Sequence, residues 1–213
     1  MNFFTFWQKL VFEPRKFFKE DFDGRSSPFL FATIAIYGIA KAMDRVEKQL
    51  TKADLKGTLA EHEWINNWST YWIVVLISGA ISGIIFYLLG GWFYNVRIKW
   101  SKGTSDKEKA RFLFLYPEFV PSLIVVVNTL IFMLGSPVPY DSNADLTPSE
   151  IIGMVLVVVA LYYSVYISYI GVTTVTDVSI KRAKIWFLIL PIVVYSLGMI
   201  AILGAIMALV SYQ

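Results

Sequence analysis

The chain has 213 residues, 56% of them hydrophobic and only 16% charged, with a net charge of +3 and a mean hydropathy of +0.58. A soluble domain carries about 25% charged residues, so this composition points to lipid-facing surface. The basic residues cluster beside apolar stretches, as topology signals and contacts for anionic lipid do, and not as a nucleic-acid footprint. The absence of cysteine and a single histidine, His62, exclude disulfides, thiolate nucleophiles and the usual zinc sites, and no cofactor or metal is expected.

Residues 1–27 read as an interfacial amphipathic element. Phe3, Phe4, Phe6, Trp7, Leu10 and Val11 precede Pro14, and Phe17, Phe18 and Phe22 follow it among charges. Opposed apolar and charged faces suit the bilayer surface; a helix packed on the bundle is the alternative. No small-residue cleavage site follows the apolar 2–12 stretch, so the first span is expected to act as the insertion signal.

Five apolar spans follow, at about 28–43, 71–93, 112–134, 150–173 and 185–211. Ser27 and Pro28 suit the cap and first turn of the first span, which is short for a bilayer, and Lys41 is expected to snorkel to the outer interface. Trp72 and Trp92 bracket the second, a length of ~30 Å that matches the hydrocarbon core. All seven tryptophans fall near predicted interfaces, and Trp64, Trp68 and Trp72 suggest one helical face. The third span opens on a capping-box pattern, Ser105 to Glu108, and is interrupted by Pro117 and Pro121. The fourth opens on another, Thr147 to Glu150, and Pro191 is expected to bend the fifth.

The gaps between the spans hold five, five, six, none, three and no Lys or Arg in chain order. Counted over 1–27, 41–69, 94–111, 135–150, 171–184 and the tail, with Lys41 at the span end taken with its loop, alternate stretches therefore carry fourteen basic residues on one side and five on the other. This bias predicts a cytoplasmic N-terminus and an external C-terminus for one five-span, all-α domain over 1–213. Without the short first span the two sides nearly balance, so the charge count argues for it.

Small residues recur at helical spacing: Gly79 and Gly83, then Gly90 and Gly91; Ala160, Ser164 and Ser168; Gly204 and Ala208. They let helices approach closely, either within the bundle or in a homo-oligomer. Glu118, between Pro117 and Pro121, is the only acid inside an apolar span, and an intramembrane carboxylate is a functional candidate. Its structural reading is an interfacial Glu that pairs with Arg97, Lys99 or Arg111 or satisfies backbone freed by the prolines. Asp177 either pairs locally with Lys181, with Ser179 capping the next helix, or joins Glu118 in a cytoplasmic-side site. Tyr162, Tyr166 and Tyr169 form a stripe, with Tyr163 beside it, whose hydroxyls need partners; Asn128 is one candidate. Asn67-Trp68-Ser69 fits a glycosylation pattern but abuts the second span. No P-loop, dinucleotide fingerprint or nucleophile–base set is present, so no catalytic residue is assigned.

The order of Glu13-Pro14-Arg15-Lys16-Phe17-Phe18, Leu89-Gly90-Gly91-Trp92-Phe93-Tyr94, the Gly103 loop, Tyr116 to Pro121, and Tyr169-Ile170-Gly171 through Asp177 to Lys181-Arg182-Ala183 resembles the Yip1-domain family in its compact prokaryotic form. The resemblance implies five transmembrane helices, a cytoplasmic N-terminus and a bacterial or archaeal cytoplasmic membrane. It carries no catalytic residues, and the Asp-Leu-Tyr-Gly-Pro motif of the vesicle-traffic branch is absent here. The expected function is a non-enzymatic protein that contacts the lipid bilayer and organises or partners other membrane components, through a membrane-protein partner or a homo-oligomer. The alternative is a small transporter or channel-like module using Glu118 on a proline-broken helix.

Overall fold

The computed structural model describes residues 2–24, 29–141 and 147–211, with backbone alone at 202–203 and 205–211. All regular structure among them is helical. The proposed helix start at Ser27 and Pro28, and the side chain of Ala208, lie outside what is described.

Helix α1 (Phe3–Phe12) is capped by Asn2, whose side chain accepts from the Thr5 N–H at 2.8 Å. Pro14 then opens α2 (Pro14–Lys16), which runs into a single π turn over Phe17–Asp21. The apolar side of this unit is spent on protein. Phe6, Trp7, Leu10, Phe17 and Phe18 are buried in one core with Tyr116, Phe119, Ile167 and Ile170. Trp7 stacks on Phe119 with centroids 3.5 Å apart, which removes it from the aromatic belt. The packed alternative therefore describes the unit, while Phe4 and Phe12 stay exposed. Lys9 and Asp21 close it at 2.9 Å, and this bond holds the Lys9 ammonium above its ordinary pKa.

Helix α3 (Leu30–Leu55) runs twelve residues beyond the expected end of the first span. Its charged second half is amphipathic. Val46, Leu50 and Ala53 are buried, and the first two pack with Tyr71 and Val75. Lys41 lies over the Tyr37 ring, 5.3 Å from its centroid, one turn back along the helix. Helix α4 (Trp68–Trp100) is capped by Asn67, which accepts from the Ser69 N–H at 2.9 Å. Because α4 starts at Trp68, Trp64 precedes it and the Trp64–Trp68–Trp72 face is not one helix.

Helix α5 (Lys107–Gly135) contains Pro117 and Pro121 without a break, so the expected interruption is corrected. Both prolines are buried among neighbouring helices, the setting in which a span tolerates lost backbone bonds. Its cap is Asp106, accepting from the Lys109 N–H at 3.0 Å. Ser105, one residue early, bonds the Asn95 side chain instead. At α6 (Pro148–Val175) the Thr147–Glu150 capping box is complete. Helix α7 (Ile180–Lys184) leads through a π turn, Ile185–Ile189, into α8 (Leu190–Ser211).

Among the described residues four helices are long and apolar enough to cross a membrane: Trp68–Trp100, Lys107–Gly135, Pro148–Val175 and Ile180–Ala201. The apolar half of α3 lies along the middle of α4. A Cβ on Gly38 would stand 2.1 Å from the Gly79 carbonyl oxygen and 2.7 Å from the Gly83 Cα. The Gly79–Gly83 face is thus occupied within the chain. Gly90 and Gly91 admit Phe114 and Arg111 of α5 in the same way, Gly153 admits Asn128, and Gly171 admits Phe18. Among the described residues Gly204 meets nothing within 4 Å.

Away from the basic loops, Asn66 holds the Tyr140 backbone at both N–H and C=O, at 2.9 and 2.8 Å. The Trp68 indole donates to the Ser136 carbonyl at 2.8 Å. The Tyr140 hydroxyl donates to Asp54 at 3.0 Å; partial burial and that carboxylate push its pKa up.

Candidate functional site: a charged pocket between four helices

Two depressions differ in how their polar groups are used. The larger, about 360 Å³, is an open surface groove lined by Phe22, Asp23, Gly24, Asp106, Lys109 and Val175. Two of its polar groups are already committed: Asp106 caps α5 and the Lys109 ammonium donates to the Val175 carbonyl. The smaller, about 180 Å³, lies between α4, α5, α6 and the α7–α8 segment. It brings Arg97 and Glu118 together with Tyr94, Ser164, Ser168, Phe187 and Tyr195.

Arg97 is there because of a defect in the last helix. In the π turn the Leu190 N–H bonds to the Ile185 carbonyl. The Trp186 carbonyl would then look five residues on for a donor, to Pro191, which has no N–H. A buried carbonyl without a partner is costly, and Arg97 supplies it: one Nη donates to the Trp186 carbonyl. The guanidinium is fixed by aromatic faces, with its Cζ 4.3 Å from the Phe187 centroid and 5.0 Å from that of Tyr94. Weak hydration makes guanidinium the cation best suited to such a stack. Arg97 is only 7% exposed, and its Nε has no acceptor.

Glu118 faces the cavity from α5, half-buried. Its backbone carbonyl accepts from the Ser122 hydroxyl at 2.6 Å. Among the described residues no ion pair joins Glu118 to Lys41, Arg97 or any other cation. The ion pairs found are Lys9–Asp21, Lys16–Glu13 and Lys48–Asp44. Pairing of Glu118 with Arg97, Lys99 or Arg111 is therefore corrected to a carboxyl group across a cavity from Arg97. The hydroxyls of Tyr94 and Ser168 bond each other at 2.8 Å on the cavity wall.

The small stripe of α6 serves this site. Ala160, Ser164 and Ser168 are all buried, and both serines line the cavity. Other sequence candidates fall elsewhere. Asp177 is exposed and does not reach Lys181 within ion-pair distance. Ser179 occupies the cap position of α7 without a side-chain bond. The Tyr162 hydroxyl meets Ser196 of α8 at 2.9 Å, and that of Tyr163 donates to the Val11 carbonyl. Tyr166 is 44% exposed, and Tyr169 packs partly buried against the N-terminal core. Asn128 sits against Gly153, not among these hydroxyls. The lining residues not named as site candidates from sequence include Tyr94, Phe187 and Tyr195. A usable signal was the spacing of Tyr94 and Arg97, one helical turn apart and on one face.

A helical chain with four apolar, membrane-length helices and charged side chains between them is a polytopic membrane protein. A family model, Yip1 domain, matches residues 9–203. The chain belongs to the Yip1-domain family. Comparison with curated proteins and with solved structures gave no match.

Proposed function

We propose that this is a non-enzymatic, five-span protein of a bacterial or archaeal cytoplasmic membrane that works by binding other membrane components, with the Arg97–Glu118 pocket as the binding site. The carrying observation is the buried Arg97 guanidinium, whose Nε has no acceptor among the described residues, with the Glu118 carboxyl lining the same cavity and in no ion pair with a described residue. Buried charges are normally paired or hydrogen-bonded, so this arrangement is suited to a polar group brought from outside. The basic-residue bias and the position of Gly38 beside the middle of α4 support α3 as the fifth span. They also support a cytoplasmic N-terminus and an external C-terminus. Any homo-oligomer would need a face other than Gly79–Gly83.

The test is native mass spectrometry after mild solubilisation. Wild-type protein is expected to carry membrane components that Glu118→Gln and Arg97→Gln lose in part or whole. A bare protein in all three preparations would refute the reading. Transport remains the alternative because Glu118 lines a cavity, but it loses the proline break, and Asp177, Tyr162, Tyr166 and Tyr169 do not line that cavity. Solute flux in reconstituted vesicles tests it.

A further inference from the structure

We propose that the pocket takes a phosphoethanolamine group, its phosphate held by Arg97 and its primary ammonium by Glu118. This rests on the pocket being the binding site. Charge balance comes first. One guanidinium and one carboxylate face the cavity, so a simple anion meets Glu118 and a simple cation meets Arg97. A neutral zwitterion satisfies both, giving the buried Arg97 and the half-buried Glu118 a partner each.

The donor chemistry fits the phosphate. Arg97 keeps a free Nε–H beside the Nη spent on Trp186, and a guanidinium binds phosphate oxygens through parallel N–H bonds. Tyr94, Ser168 and Tyr195 line the same cavity, the first two with their hydroxyls bonded to each other. Size fits as well. About 180 Å³ is the room of roughly six waters at ~30 Å³ each, below the ~300–1,000 Å³ of sites for drug-sized ligands. That suits a headgroup and excludes acyl chains. Chains have a place to go: Phe93, at the cavity wall, is 46% exposed on the flank of α4.

Depth sets the orientation. Gly91 meets Arg111 and Gly90 meets Phe114 across the antiparallel pair α4 and α5. Arg97 lies beyond Gly91 toward the helix end, and Glu118 lies beyond Phe114 toward the membrane interior. The ammonium therefore points inward, the reverse of a free bilayer lipid. Only the Glu118 charge rewards that inversion, so Glu118→Gln, which keeps the shape, is the sensitive variant. A water-borne phosphoethanolamine needs no inversion and is the other source of the same chemistry.

The experiment offers detergent-solubilised protein equal amounts of phosphatidylethanolamine, phosphatidylcholine and phosphatidylglycerol, then reads retained lipid by native mass spectrometry. A parallel arm adds free O-phosphoethanolamine. Wild type is expected to prefer the ethanolamine lipid by about tenfold, with the preference abolished in Glu118→Gln. Binding of free O-phosphoethanolamine alone, lost in the same variant, keeps the chemistry and assigns a soluble source. Equal retention of the three lipids with no binding of the free compound overturns the assignment, as does a preference that Glu118→Gln leaves intact. If the variants shed some other component instead, the ligand class fails while the pocket stands as a binding site. If they shed nothing, both fail.

Discussion

Replacing Gly38 with alanine puts a methyl group where two backbones already touch. Its Cβ would lie 2.1 Å from the Gly79 carbonyl oxygen and 2.7 Å from the Gly83 Cα. A carbon rests ~3.3–3.6 Å from a carbonyl oxygen, and neither obstacle is a side chain that can rotate away. Helices α3 and α4 must therefore separate by about 1 Å. A gap of that size forfeits a quarter to a half of each affected contact, and overpacking of this kind costs ~1–3 kcal/mol. The Ser82 hydroxyl, which bonds the Gly79 carbonyl at 3.3 Å, would be displaced too. Alanine returns up to ~1 kcal/mol of helix propensity, so the net loss should be up to about 2 kcal/mol. Gly198 provides the control, because a Cβ there meets nothing within 4 Å; Gly198→Ala should be neutral or stabilising by up to ~1 kcal/mol. Unfolding in mixed micelles of rising dodecyl sulfate content, followed by tryptophan fluorescence, measures both. Equal stability of the two variants would refute the close-packing argument.

Backbone conformation gives a second pair of outcomes. Gly57 follows α3 at φ +69°, and a Cβ there would meet nothing within 4 Å, so Gly57→Ala should cost ~1–2 kcal/mol through the left-handed backbone alone. Lys102 holds φ 62° after α4 with a side chain present, so Lys102→Gly should gain about 1 kcal/mol in the same unfolding assay. Sidedness is open to cysteine labelling because the chain has no cysteine of its own. With an impermeant maleimide, Glu61→Cys should react in intact cells, and Lys102→Cys and Asp177→Cys only after permeabilisation. The opposite pattern would overturn the orientation.

The parts legible in the sequence were those with local causes. The Thr147–Glu150 box needs four residues, and the glycine pairs declare close approach by their size alone. The second half of α3 was legible too, had Val46, Leu50 and Ala53 been read for spacing and not for hydropathy. The N-terminal unit was harder. An amphipathic pattern states that an apolar face needs an apolar neighbour, and lipid and the α5–α6 surface satisfy it equally. Full burial of Leu10 and Phe17, worth ~1.5–3 kcal/mol each against exposure to water, is a property of the assembled bundle. The pocket was least accessible. Glu118 stood out as an acid among apolar residues, but the position of Arg97 depends on a carbonyl 89 residues away.

That carbonyl makes Arg97 a shared component, at once a splint for the backbone of the last span and one jaw of the cavity. A phosphate that drew the guanidinium toward itself would loosen the splint, and α8 would hinge where Pro191 already denies it a backbone bond. A group that binds the guanidinium therefore competes with the Trp186 carbonyl for the same side chain. Substitutions at Arg97 will disturb both together, whereas Glu118→Gln changes only what the jaw closes on.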